Sequence, residues 1–208
     1  MVECKLYVEG GGNSKSLIVE CRMGFRAFLE KTGLRGAMPR TVPCGSRNEA
    51  YNKFCTTVGQ GQKAFLLVDS ELPVDASHEK GQPKDWQPWE HLRRGDGWTK
   101  PKSSSDIDCH LMVQVMESWF LADKETLSAF FGQGFRMSAL PSQNAVETVG
   151  KEEVFRGLKQ ASQKCKTKTP YEKGLHAFKI LALIDSQKIC NASPWAKRFI
   201  DTLLERSQ

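Results

Sequence analysis

KAFLLVDSE, residues Lys63–Glu71, is the stretch on which the fold turns. Its centre, Ala64-Phe65-Leu66-Leu67-Val68, is apolar without alternation. A strand with one wet face alternates, whereas one covered on both faces reads as a continuous apolar run. The stretch therefore predicts a central strand of a parallel sheet, ending on the acids Asp69 and Glu71. Working towards the N-terminus, Ser46–Val58 is a helix, opened by the Ser46/Glu49 capping box. Pro39–Gly45 is a short strand. Leu17, Ile18, Cys21, Phe25, Phe28 and Leu29 recur at helical spacing, with Asn13 or Ser14 as cap and Gly33 and Gly36 as stop. Val2–Glu9 alternates as a strand and is broken by Gly10, Gly11 and Gly12. The order β-α-β-α-β implies parallel strands with right-handed crossovers and one shared carboxyl edge, where ligands bind. Glu9 and Asp69 then lie on the same rim.

Downstream the pattern changes. Residues 72–107 hold four prolines and a polar majority, but also Trp86, Trp89 and Trp98. Such tryptophans argue for an ordered excursion near the rim, with a short helix around PWEHLRR. DCHLMVQV resumes as a strand and MESWFLADKETLSAFFG reads as a helix, with Met112, Met116, Trp119 and Phe120 as core. Helices are expected over Glu152–Gln163, over Glu172–Ile184 and from Ser193, which caps a helix with Pro194 in its first turn. The expected organisation is an α/β core, 1–134, carrying the 72–107 excursion, and a helical C-terminal annex, 135–208, packed on it.

Composition narrows the class. The chain has 208 residues, 39% hydrophobic and 26% charged, as a soluble globular protein does. No apolar run approaches the ~20 residues that cross a bilayer, and no leader segment is evident. Seven cysteines, odd in number and without C-x-x-C spacing, argue against a disulfide framework or zinc ribbon. A reducing cytoplasmic location is expected, with no membrane partner. A net charge of +6 suits a polyanion weakly.

Alternation along the third strand puts Asp69 and Glu71 on one face, and Glu9 stands at the same rim. At ~4 Å and an effective dielectric of ~20, each like-charge pair costs about 4 kcal/mol. Such a cluster calls for a cation or a shared proton, and oxygen-only ligands suit Mg2+ or Mn2+. Gly10, Gly11 and Gly12 would let a phosphate approach a helix N-terminus, with Lys15 and Ser16 in its first turn. Taken singly, the glycines read as a tight turn and Asp-Ser-Glu as a polar turn. Together, on two βα rims, they read as a site. GGGNSKS fits neither a P-loop nor a dinucleotide fingerprint.

A strand ending in Glu-Gly, followed by one ending in Asp-x-Glu, resembles the Toprim family of topoisomerase, primase and nuclease modules. Over nearly the whole chain, VEGGGNSK, CGSRNEAY, LLVDSE, the segment from Cys109 to Phe135 and SPWAKRFIDTL resemble an RloG-like bacterial family of Toprim type. The resemblance implies a Toprim-like (Rossmann-like) parallel sheet. It also implies Glu9 as general acid/base, Asp69 and Glu71 as magnesium ligands, and a neighbouring AAA- or ABC-type ATPase in antiphage defence. The second acid is Glu71 where the family commonly has Asp. Too few tyrosines and too short a chain for topoisomerase or primase work leave Mg-dependent hydrolysis of DNA or RNA as the expected activity. The alternative is a non-catalytic module that recognises the ATPase or nucleic acid.

Other residues carry two readings each. Glu117 is a fourth acid of the site or a helix-surface ion pair, and Asp123 is an N-cap for the segment at Thr126. Arg47 opens onto the rim as a phosphate contact or a solvated arginine. Arg93, Arg94, Lys164, Lys166 and Lys168 are backbone contacts or solvated charges. Trp86 and Trp98 stack on a base or pack the excursion. The four histidines show no ligand spacing, and His110 reads as a hydrogen-bonded core residue.

Overall fold

The structure, a computed structural model, describes residues 4–12, 14–34 and 38–206. Four short strands, β1 (Lys5–Val8), β2 (Arg40–Pro43), β3 (Ala64–Asp69) and β4 (Cys109–Met112), form one sheet in the order β2-β1-β3-β4. Every pairing is parallel. All six β3 residues are buried, as the unbroken apolar run requires. Helices α1 (Lys15–Glu30) and α2 (Arg47–Gly59) follow β1 and β2. The Ser14 and Ser46 hydroxyls cap them, accepting from the amides of Leu17 and Glu49. Asn13 and Gly36 lie outside the described residues.

Alternation divides the core in two. Leu6, Val8, Phe65 and Leu67 face Cys21, Phe25 and Phe28 of α1 and the C-terminal helices. Tyr7, Leu66, Val68 and Leu111 face Ala50, Phe54 and Val58 of α2 and the tryptophans of the excursion. The excursion is ordered, with helix α3 at Pro88–Asp96. Trp86, Trp89 and Trp98 are buried in packing, which removes Trp86 and Trp98 as platforms for a base. Tyr51 stacks on Trp98 at 4.5 Å.

The single helix expected over residues 116–132 is instead a 3-10 segment, Met116–Ala122, and helix α4, Lys124–Phe131. The break falls at Asp123. Its buried carboxylate accepts from the amides of Thr126 and Asp185 and pairs with Lys188. These partners turn it away from the rim.

Helices α5 (Lys151–Ser162), α6 (Lys173–Leu181), α7 (Ser186–Ala192) and α8 (Pro194–Arg206) complete the chain and share the sheet's core. The start of α8 is held by Glu147, whose Oε1 accepts from the Ser193 hydroxyl and, at 2.9 Å, from the Trp195 amide. Burial pushes the Glu147 carboxyl up to about 7, although those two hydrogen bonds oppose the shift. A folded pKa above the unfolded one contributes stability that is complete below about pH 4.5 and lost as pH rises through about 7. Glu147→Gln keeps both acceptor contacts without the charge. Between about pH 5 and pH 8 its melting temperature should therefore fall less than the wild type's in thermal scans. Parallel curves would exclude Glu147 as the titrating group.

Candidate metal centre at the carboxyl rim

The strand order reverses direction between β1 and β3, the switch point where open α/β sheets bind ligands. Glu9 follows β1, Asp69 ends β3, and Glu71 lies two residues on. One carboxylate oxygen from each lies within 4.8 Å of the others. Asp69 is 2% exposed. Its Oδ1 accepts from the Met116 amide at 2.8 Å, and its own amide donates to Glu9 Oε2 at 3.3 Å.

Glu71 reaches the cluster by a different route from the one alternation suggests. It lies beyond the strand, with φ +64°. A left-handed non-glycine residue costs about 1 kcal/mol. The bond from its amide to Gln114 O, 2.8 Å, holds it there and turns its carboxylate back to the rim.

Glu117 is fully enclosed in the 3-10 segment, so it is no surface ion-pair residue. Tyr171 donates to its Oε1 at 2.9 Å, while Oε2 accepts no hydrogen bond. Lys173 lies 3.7 Å from that oxygen and 3.5 Å from Asp69 Oδ2. Thus Glu117 joins the cluster through Lys173.

Each acid already has a cation beside it. Lys151 pairs with Glu71, Lys173 with Asp69 and Glu117, and Arg47 Nε lies 3.8 Å from Glu9. No one of these three pairs with all of Glu9, Asp69 and Glu71. Burial pushes the Glu9 carboxyl up, against the pull of Lys173, the Asp69 amide and Arg47. Burial, then Glu9, raise Asp69 well above the usual carboxylate range, and Lys173 offsets part of this. Burial works to lower the Lys173 ammonium, but Glu117, Asp69 and Glu9 outweigh it and the net shift is upward.

The glycines are explained by packing as much as by access. Gly10 and Gly11 have φ +120° and +86°. A Cβ at Gly10 would come 2.8 Å from Phe178, and one at Gly11 would come 3.0 Å from Pro43. The Gly10 amide donates to Gly45 O at 3.0 Å, so it is not free for a phosphate. Gly12 and Lys15 are exposed.

Arg47 is not a solvated arginine. Its two terminal nitrogens bind both oxygens of Asp96, at 2.5 and 2.9 Å, and its guanidinium lies 5.1 Å over Trp98. Only Nε is left facing Glu9, buried and without a hydrogen-bond partner. The phosphate contact expected of Arg47 is therefore curtailed, because Asp96 occupies the fork. Arg93 and Arg94 pair with Glu90.

Lys151, Tyr171, Lys173 and Asp96 went unnoticed in the sequence. A signal was present: α1, α2, α4, α5 and α6 all open on a lysine or arginine. The helix dipole favours acids in that position. Three of those five cations, Arg47, Lys151 and Lys173, turn to the acid cluster.

The donor set is the three carboxylates of Glu9, Asp69 and Glu71, with the buried, unpartnered Glu117 Oε2 linked to it through Lys173. That set fits a hard divalent cation. Among the described residues, Glu9, Asp69 and Glu71 are the one group of three or more acid, histidine or cysteine side chains close enough for this. No helix among the described residues is long and apolar enough to cross a membrane.

No curated protein and no solved structure matches this chain. The family model of a domain of unknown function, DUF4276, matches residues 8–204, and the chain belongs to that family.

Proposed function

We propose that the chain is a Mg2+- or Mn2+-dependent nuclease, hydrolysing phosphodiester bonds of DNA or RNA at the rim of β1 and β3. The observation that carries this reading is the convergence of Glu9, Asp69 and Glu71 oxygens within 4.8 Å at the switch point of the sheet. Asp69 and Glu71 would hold the cation, with Glu117 behind them. A divalent cation bound there supplies neutralising charge for the phosphodiester and its leaving oxygen. The raised pKa of Glu9 suits a side chain that takes and returns a proton. Lys173, half-exposed and flexible, is placed to turn from Asp69 towards a phosphate oxygen. The resemblance to the Toprim family supports the same reading and adds a partner ATPase of a defence system.

The test is a cleavage assay on labelled DNA and total RNA with added Mg2+ or Mn2+. Cleavage should stop on chelation and fall by about 10²-fold or more in Glu9→Gln, as for loss of a general acid/base. Cleavage at the wild-type rate in that variant would sink the proposal. A second reading, a non-catalytic binding module, is favoured by the internal cations Lys151, Lys173 and Arg47, which already neutralise the acids. It requires that a calorimetric titration with Mn2+ show no binding dependent on Asp69.

A further inference from the structure

We infer that the loop joining α5 to α6, with Lys164, Lys166 and Lys168, is the track along which a nucleic-acid backbone approaches the acid cluster. This rests on the phosphodiester reading of that cluster, because it is to the cluster that the loop leads. Residues 151–179 contain eight lysines and arginines against three glutamates, a concentration that leaves one unit of the chain's +6 charge elsewhere. Arg156, Lys159, Lys164, Lys166 and Lys168 are all exposed. Lys100, Lys188 and Lys197 pair with acids. Other exposed lysines such as Lys53, Lys84 and Lys102 stand alone, but among the described residues only here are several unpaired cations gathered in one segment. Arg156, Lys159, Lys164 and Lys166 have no such partner among the described residues, and Lys168 has only the Phe130 ring, at 4.7 Å. Unneutralised like charges held together repel one another, and a polyanion relieves that repulsion.

Both ends of this basic segment enter the site. Lys151, opening α5, pairs with Glu71, and Lys173, opening α6, pairs with Asp69. The loop between is held in place. Lys166 N donates to Gln133 O, the Thr167 hydroxyl to Phe131 O, and Tyr171 N to the Ser162 hydroxyl at 2.7 Å. Gly134 has no side chain where Lys164 O would lie 2.1 Å from a Cβ. Lys173 follows Lys168 by five positions, so their Cα atoms lie within about 18 Å. At one phosphate per ~3.4 Å of a strand's axis, that reach covers about five phosphates. A backbone seated on the loop thus brings a downstream phosphodiester to the acids.

The experiment compares the full chain with the Lys164→Gln/Lys166→Gln/Lys168→Gln variant. Fluorescence anisotropy is read with labelled single-stranded DNA, duplex DNA and RNA, in chelator so that nothing is cleaved. All three side chains are exposed, so matching melting temperatures should show that the variant folds. Affinity should drop about tenfold or more at low salt. The slope of log affinity against log salt should shrink by about two, at ~0.7–0.9 per lost phosphate contact. The probe that loses most names the preferred strand. Equal affinity and slope in both proteins would overturn the inference, as would absent binding by the wild type. So would a loss seen only with anionic lipid vesicles or an acidic peptide. Asp69→Asn, assayed for cleavage in parallel, keeps the two claims apart. Wild-type cleavage by it refutes the acid site whatever the lysines do, and its loss alone says nothing against them.

Discussion

In the absence of metal, Asp69→Asn is expected to melt at the wild-type temperature or a few degrees above it. With millimolar Mg2+ or Mn2+ it is expected to show none of the wild type's stabilisation. The first half follows from burial. Asp69 is enclosed beside Glu9 and Glu117, and both raise its pKa, so its ionised form is penalised at neutral pH. Asparagine keeps an oxygen for the Met116 amide and removes that charge. Lys173 already offsets part of the repulsion, so the net gain is of the order of 1 kcal/mol, a rise of about 2–4 °C at this chain length. The second half follows from ligand removal. A cation at about a hundred times its Kd stabilises the wild type by about 2.7 kcal/mol. Loss of the central carboxylate abolishes that increment, and cleavage falls with it. Thermal scans with and without metal read both halves. A variant that melts well below the wild type yet keeps the metal-induced rise would show that Asp69 serves the fold and not a cation.

Arg198→Met is expected to cost about 3–5 kcal/mol, for reasons unconnected with the acids. Arg198 on α8 is 1% exposed. Its Nε donates to Pro83 O at 2.7 Å, Nη1 to Cys109 O at 2.9 Å and Nη2 to Asp106 O at 2.7 Å. It also donates to His110 Nδ1 at 3.0 Å. Burial and the nearby arginine lower the His110 pKa, so the ring is a neutral acceptor. One guanidinium thus ties the excursion, at Pro83 and Asp106, to β4. Methionine fills similar space but leaves buried carbonyls without donors, each costing about 1–3 kcal/mol. Lysine has three donors on a point charge and cannot reproduce the planar fork, so Arg198→Lys should recover little. Urea denaturation measures both variants. A loss below about 1 kcal/mol for Arg198→Met would mean that the excursion is held by its tryptophans alone.

The excursion in turn steadies the acid cluster. His91 of α3 donates to the Ser70 carbonyl at 2.9 Å, and Asp96 of the same helix takes the fork of Arg47. A segment that reads as a long polar loop therefore braces both flanks of the acid cluster.

Local chemistry sufficed for the frame. The unbroken apolar run of β3, the serine caps of α1 and α2, Asp123 as a cap and the Ser193–Pro194 start of α8 act over about five residues or fewer. Periodicity and capping are therefore written in the neighbours themselves. The parallel order then carried Glu9 and Asp69 to one rim, because crossover connections run every strand the same way and end it on the same side. What the sequence by itself determined was this α/β frame and the two acids at its carboxyl edge. Only the tertiary structure decided which groups face those acids. Lys151 pairs with Glu71 across 80 residues, and Tyr171 meets Glu117 across 54. It also decided that Phe178 fills the space at Gly10 and that a positive φ turns Glu71 inward. Such contacts depend on how whole helices pack on the sheet, and no spacing between near neighbours encodes that.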